Sequence, residues 1–181
     1  TRLPDYQQQV RSGAWQQASQ FCLLDFPIIE LHGKTLGLLG NGELGSAVGR
    51  LAEAFGMRVL LGQLPGRPPR PDRLPLHELL PQIDALSLHC PLTEQTRKLI
   101  GAAELALMKP QAFLINTARG GLVDEQALAA ALRAGQLGGA AFDVLSEEPP
   151  RQGNPLLDNA IPRLIITPHN AWGSREARQR I

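Results

Sequence analysis

Cysteine is scarce in this chain, and its two copies, Cys22 and Cys90, lie far apart. That spacing argues against a disulfide scaffold, suits a reducing cytoplasm and offers no pair of metal ligands. The four histidines, His32, His77, His89 and His169, are scattered as well. No metal site is expected. Charge of one sign is also missing: the formal net charge is +1, and the basic residues form no block. A nucleic-acid partner is therefore not expected. No apolar run reaches the roughly 18 residues of a membrane span. The polar N-terminus has no signal-peptide pattern. A cytoplasmic protein without membrane contact is the expectation. An initiator Met is lacking too, and the chain is read as a fragment. No repeat of solenoid period is present. What remains is 181 residues, enough for one domain with a sizeable core.

The chain is organised around residues 35–45, Thr-Leu-Gly-Leu-Leu-Gly-Asn-Gly-Glu-Leu-Gly. An apolar run with strand character feeds directly into Gly40-x-Gly42-x-x-Gly45. A helical pattern follows, with Leu44, Val48, Leu51, Ala52 and Phe55 at helical spacing and Gly56 at the C-cap. Strand, glycine loop and helix in that order raise the motif above chance. Gly40 turns the chain out of the strand. Gly42 lets the backbone approach a pyrophosphate. Gly45 lets helix and strand pack closely. The N–H groups around Glu43 and Leu44 then face an anion, with the helix dipole behind them.

Residues 1–20 are polar and contain one Trp. A short helix is expected over 11–20, weakened by Gly13. Residues 21–31 are very apolar, and Pro27 breaks any regular element. Two readings stand: core packing of a flank, or an arm that buries itself on another subunit or domain. Further strands are expected at 57–61, 83–89, 112–115, 140–142 and 164–166. Helical segments are expected at 76–80, at 102–108 and from an Asp124 cap to Gly135. Residues 62–71 and 147–162 read as loops. Ser174 caps a last helix, unfinished at Ile181. Strands alternating with helices predict an α/β fold, a doubly wound parallel (Rossmann) sheet with helices on both faces. It is expected to span 35–181, with 1–34 as a flank or arm. Right-handed crossovers place every strand's C-terminal end on one rim, where such sheets bind ligands.

Several residues that follow strands could do chemistry there. Arg119, in Thr-Ala-Arg-Gly-Gly, has glycines beside it that leave room for a ligand. It would hold a carboxylate through two hydrogen bonds, or else pair with a structural acid. His169 follows a strand and Pro168, and is a natural proton donor near neutral pH. Glu147 and Glu148 lie in a loop that could reach it; solvated glutamates and a surface histidine are the bland alternative. His89 is read as a backbone-bonded loop histidine beside an adenine. Asp143 would accept a hydrogen bond from an amide, or cap a turn.

Five blocks share one resemblance: the glycine motif, His-Cys-Pro-Leu-Thr-Glu-Gln-Thr at 89–96, Asn-Thr-Ala-Arg-Gly-Gly-Leu-Val-Asp-Glu at 116–125, Asp-Val-Leu-Ser-Glu-Glu-Pro at 143–149, and Thr-Pro-His at 167–169. In this order they resemble the nucleotide-binding domain of the D-2-hydroxyacid dehydrogenases, over about residues 35–175. His169-Asn170-Ala171-Trp172 and the residues after it resemble the glycerate dehydrogenase / hydroxypyruvate reductase branch. The resemblance implies an NAD(P)-dependent oxidoreductase acting on a small 2-keto or 2-hydroxy acid, with hydroxypyruvate or glyoxylate the expected substrate. Arg119 would bind the substrate carboxylate and carbonyl. His169 would protonate the ketone oxygen as hydride arrives from the nicotinamide. Glu148 would pair with His169 and keep it protonated, with Glu147 a spectator. Formate dehydrogenases of the superfamily carry Gln there, so Glu148 favours a hydroxyacid. Asp143 would hold the nicotinamide carboxamide. Cofactor contacts are expected from Gly40, Gly42, Glu43, Leu44, Gly45, Gln63, Arg67, Arg70, His89, Cys90, Pro91, Thr96, Thr117, Ala118, Arg119, Asp143, His169 and Ala171.

Two departures stand out. NAD-specific relatives carry an Asp about 20 residues past the glycines, where this chain has Gln63; Arg67 and Arg70 come before the next acid, Asp72. That permits a 2′-phosphate, so NADP(H) is expected to bind at least as well as NAD(H). The family's substrate domain, built from segments on both sides, is absent, so this piece alone is expected to be inactive. A homodimer is expected through residues 21–31. Two other readings compete: a dinucleotide-sensing interaction protein of the corepressor type, whose interaction tails are not seen, and a plain dinucleotide-binding module.

Overall fold

A computed structural model describes residues 2–180. Two compact units are present, one ending at Leu31 and one starting at His32. The expected division after residue 34 falls earlier for a simple reason. Residues 33 and 34 already bond the second unit, through Gly33 N–H to Gly56 O (2.9 Å) and Arg58 N–H to Lys34 O (2.8 Å).

The first unit holds one helix, α1 (Leu3–Arg11). The helix expected over 11–20 is not formed. Pro4 suits a helix start, and the helix is over before Gly13, which takes φ +79°. Tyr6 anchors the apolar run that follows. Its hydroxyl donates to Phe26 O (3.0 Å) and accepts from Phe26 N (3.2 Å). The two rings meet edge to face at 5.3 Å. Trp15 Nε1 donates to Phe21 O (2.9 Å). Yet Phe21 is 90% and Leu24 76% exposed.

The second unit is the expected doubly wound fold. Its strands are β1 (Thr35–Leu39), β2 (Arg58–Gly62), β3 (Ala85–Leu88), β4 (Phe113–Asn116), β5 (Gly139–Phe142) and β6 (Leu164–Ile166). They form one sheet in the order β2-β1-β3-β4-β5-β6. Every adjacent pair is parallel. The helices are α2 (Glu43–Ala54), α3 (Leu76–Leu79), α4 (Ala102–Leu107), α5 (Glu125–Arg133) and α6 (Arg175–Gln179). Asp124 caps α5 by accepting from Gln126 and Ala127 N–H, and Ser174 caps α6 by accepting from Ala177 N–H. Ile181 lies outside the described residues. The 147–162 loop contains a short 3-10 turn at Pro155–Leu157.

Burial explains the strand sequences. All five residues of β1 are buried, as a central parallel strand requires. The larger core joins Leu39, Leu86, Leu88, Leu114 and Phe142 to Leu128 and Leu132 of α5. A smaller core joins Leu36 and Leu38 to Ala52 of α2. The expected apolar stripe of α2 holds only in part: Ala52 is buried and Val48 packs against this core. The buried residues of the helix are Gly45, Gly49 and Ala52, while Leu44, Leu51 and Phe55 are more than half exposed. Small side chains face the sheet because the helix lies close: a Cβ on Gly49 would stand 3.3 Å from Leu38 Cδ1. Gly56, at φ +78°, ends this segment as expected.

At the strands' starting edge, Asp84 ties three strands together. Its carboxylate accepts from Thr35 N–H (2.8 Å) and from Lys109 Nζ (2.9 Å), and its carbonyl accepts from Phe113 N–H (3.0 Å).

Candidate active site

The opposite rim gathers the loops that follow the strand ends. β1 ends in the glycine loop, which is shaped by what touches it. Gly40 has φ +98°, and a Cβ there would lie 2.5 Å from His89 O. A Cβ on Gly45 would lie 2.2 Å from Gly40 O. Gly42 differs: nothing stands within 4 Å of its missing Cβ, so the loop has open space above it. No side chain caps the start of α2, and its first N–H groups remain available to an anion. Beside them, Leu44, His89, Pro91, Thr117, Ala118 and Arg119 line one cavity of about 520 Å³, with Leu92 added. A dinucleotide pyrophosphate fits this donor set and this space.

The β3 loop is held from within. Thr96 is buried; its Oγ1 accepts from Thr93 N–H (2.7 Å) and donates to Pro91 O (2.8 Å). Cys90 is buried as well, and burial pushes its thiol up. His89 bonds the Ser87 hydroxyl (2.9 Å) rather than a backbone group. Burial lowers its pKa, so it favours the neutral ring.

After β2, Gln63 turns into its own loop. Its Nε2 donates to the carbonyls of Leu64, Arg67 and Pro68, and its Oε1 is buried without a partner among the described residues. Arg70 grips Asp72 through both oxygens, at 3.0 and 3.2 Å. Arg67 forms no ion pair among the described residues.

After β4, buried Asn116 brackets the turn that presents Arg119. Its Nδ2 donates to Arg119 O (3.0 Å), and its Oδ1 accepts from Ala118 N–H (3.1 Å). This role of Asn116 was not anticipated; its signal is an Asn at the strand end just before the arginine. The exposed Arg119 side chain contacts only Ala118 O (2.6 Å) and has no acid partner among the described residues. It is thus a free guanidinium on the rim, not a structural ion pair.

After β5 and β6, the acid and the histidine meet. Glu148 Oε2 lies 2.7 Å from His169 Nδ1, and Glu148 Oε1 accepts from Leu145 N–H (2.8 Å). His169 sits at φ +50°, a left-handed conformation unusual for a side chain of its size. Asp143 holds that turn. Its Oδ1 accepts from Thr167 Oγ1 (2.5 Å) and Asn170 N–H (3.0 Å), and its Oδ2 accepts from Ala171 N–H (2.9 Å). The amides that Asp143 binds in the structure are therefore backbone groups of the histidine turn. With Nδ1 engaged by Glu148, Nε2 is the ring nitrogen left for a substrate.

A glycine loop on an uncapped helix, a cavity along the rim and a parallel six-stranded sheet define a dinucleotide-binding domain of the doubly wound class. The sequence matches the family described as D-isomer specific 2-hydroxyacid dehydrogenase, NAD binding domain, over residues 1–171. The chain belongs to that family. It is 49% identical over 174 residues to a glycerate dehydrogenase of Methylorubrum extorquens, covering 96% of this chain and 54% of the relative. Among solved structures it resembles a D-lactate dehydrogenase from Aquifex aeolicus complexed with NAD and lactic acid (TM-score 0.84, 33% identity, 99% of this chain and 57% of that one). It also resembles an acyclic imino acid reductase in complex with NADPH and D-Arg (TM-score 0.75, 33% identity, 97% and 55%). The chain spans about half the length of the curated relatives it matches.

Asp143 gives a pH prediction. Burial alone would raise its carboxyl, but the bonds from Thr167, Ala171 and Asn170, with the field of His169, hold it below the ordinary range. A depressed carboxylate contributes fully above its unfolded value of about 3.9 and loses that contribution as pH falls through the folded value. Asp143→Asn should cost about 1.5–3 kcal/mol at neutral pH and flatten the acid limb of the stability curve. Urea unfolding from pH 7 down to pH 3 measures both; a variant as stable as the parent at pH 7 would contradict the assignment.

Proposed function

We propose that the protein carrying this domain is an NAD(P)-dependent D-2-hydroxyacid dehydrogenase that reduces a small 2-keto acid, hydroxypyruvate or glyoxylate, to its 2-hydroxy acid. The observation that carries this is the 2.7 Å Glu148–His169 pair, on the same rim as the free Arg119. Reduction of a ketone needs a hydride, a clamp for the substrate anion and an acid for the developing alkoxide. The bound nicotinamide supplies the hydride. Arg119 binds the substrate carboxylate through two parallel bonds. His169 delivers its proton from Nε2 to the ketone oxygen. Glu148, on Nδ1, fixes the orientation of the ring. Asp143 and Asn116 keep the two turns in place. Such an acid pair has no use in a protein that only senses a dinucleotide, which speaks against the corepressor reading.

The cofactor preference follows from charge. Gln63 has no charge to repel a 2′-phosphate. Arg70 is occupied by Asp72, which leaves Arg67 as the loop cation nearest in sequence to Gln63. Arg50 and Arg73 line a groove of about 500 Å³ together with Asn41 of the glycine loop and the acids Glu53 and Asp72, and Arg73 Nε is buried without a partner among the described residues. We infer that NADP(H) binds at least as well as NAD(H). We also infer that the first unit, ending at Leu31, acts as an arm and that two copies associate through residues 21–31, because Phe21, Leu24 and Ile28 are each more than half exposed. Two free thiols, Cys22 and Cys90, suit a cytoplasmic setting.

In the full-length protein, His169→Ala should lower kcat roughly 100- to 10,000-fold and leave cofactor affinity nearly intact. Arg119→Ala should chiefly raise KM for the keto acid. Steady-state kinetics with hydroxypyruvate, glyoxylate and pyruvate read both, and a loss below about tenfold for His169→Ala would move the acid elsewhere.

Fluorescence titration with NADH and NADPH at fixed salt tests the cofactor. A charge-assisted bond contributes roughly 1.5–3 kcal/mol, so Arg67→Ala or Arg73→Ala should weaken NADPH about tenfold or more and spare NADH; Arg70→Ala should do little. An NADH preference untouched by any of the three would reject the inference.

Sedimentation should show a dimer that Phe21→Ser with Leu24→Ser dissociates. A well-folded monomer in the parent protein would overturn the arm.

A further inference from the structure

Glu125 is a buried carboxylate that the chemistry above does not use. It opens α5 and is 8% exposed. No Lys, Arg or His forms an ion pair with it among the described residues. A buried charge in that position is costly unless donors surround it. Three do. Oε1 accepts from Ser146 N–H (2.7 Å), and Oε2 accepts from Ser146 Oγ (2.5 Å) and Asn154 Nδ2 (2.8 Å). The positive end of α5 also favours an anion at this place.

What Glu125 holds is the peptide on which both halves of the site rest. Leu145, joined to Ser146 by that peptide, gives its N–H to Glu148 Oε1, and Glu148 Oε2 holds His169. From the other side comes Gly120, next to Arg119. A Cβ on Gly120 would lie 1.9 Å from Leu145 C and 2.3 Å from Ser146 N. The Arg119 turn is thus pressed directly on the Leu145–Ser146 peptide. We propose that Glu125 is a positioning residue: by clamping this peptide it holds the Glu148–His169 pair and the Arg119 turn in register. The proposal rests on the function given above for those three residues.

An acid is needed here, and an amide will not serve. The three donors ask for acceptors on both oxygens. In Glu125→Gln one oxygen becomes an NH₂ group, which then faces another donor in either orientation: Ser146 N–H at the Oε1 place or Asn154 Nδ2 at the Oε2 place. The peptide must shift to relieve it, and a shift of about 1 Å at a catalytic geometry costs on the order of a hundredfold.

The test uses the full-length protein. Glu125→Gln should lower kcat about tenfold to hundredfold and raise KM for the keto acid, with dinucleotide affinity within about twofold of the parent. A second readout needs no turnover. The Nδ1 proton of His169, bonded to Glu148, gives a downfield NMR signal that disappears in Glu148→Ala. In Glu125→Gln that signal should move upfield and broaden, at a temperature well below the melting point. A residue that only stabilised the domain would lower the melting temperature and leave this signal unchanged. Should Glu125→Gln fail to fold, Ser146→Ala deletes a single bond of the clamp and should give a smaller change of the same kind. An unmoved His169 signal with kcat within about twofold, in whichever variant folds, overturns the proposal. If the parent reduces no keto acid, the proposed activity fails while the NMR signal still reports the clamp.

Discussion

Parallel pairing is the constraint on which the rest of this structure depends. Six strands run the same way, so each must be entered from one edge and left at the other. The left edge of every strand is then a loop, and all those loops share one rim. Residues at 40–45, 89–96, 116–119, 143–148 and 167–171 are distant in sequence and neighbours in space for this reason alone. A single antiparallel strand would send one of these groups to the far side of the sheet. The all-buried β1 fits the pattern: past Thr35 at its start it carries no polar side chain on either face.

The site itself is held by buried polar groups. Asn116, Asp143 and Glu125 are each under 9% exposed, and each bonds to backbone of a loop that carries Arg119, His169 or Glu148. Loop backbone has no ladder to satisfy it, so these side chains supply the missing partners. Low dielectric strengthens every such bond and makes each broken one costly. The groups proposed to react, by contrast, pair nearer the surface: the side chains of His169 and Glu148 are 41% and 33% exposed.

Much of this was legible in the sequence. Short apolar runs bounded by glycine, proline and asparagine mark the strands because a buried parallel strand tolerates little else. The Asp124 and Ser174 caps were legible because a cap is a local bond. The pairing of Glu148 with His169, and the place of Arg119 after a strand end, were legible through strand ends and a family resemblance. What was not legible required knowledge of distance. Of the stripe Leu44, Val48, Leu51, Ala52 and Phe55, only Val48 and Ala52 meet the core; close approach to the sheet selects the small Gly45 and Gly49 beside Ala52 for the contact. Periodicity reports which residues share a face; it does not report how near the neighbour is. Gln63 likewise seemed free for a ribose until its own loop claimed its amide nitrogen. Glu125 reads as an ordinary first-turn acid, and its partners Ser146 and Asn154 lie too far along the chain for any local pattern to join them.

The Asp84 knot at the strands' starting edge has a practical meaning. β1 is five residues long, and at about 3.3 Å per residue it puts roughly 15 Å of packed sheet between that knot and the glycine loop. Forces applied at one edge reach the other only through a rigid slab. Surface positions around Lys109 therefore offer an attachment point for a fluorophore, a surface tether or a fused partner that leaves the glycine-loop rim undisturbed, as long as the Lys109–Asp84 bond itself is kept.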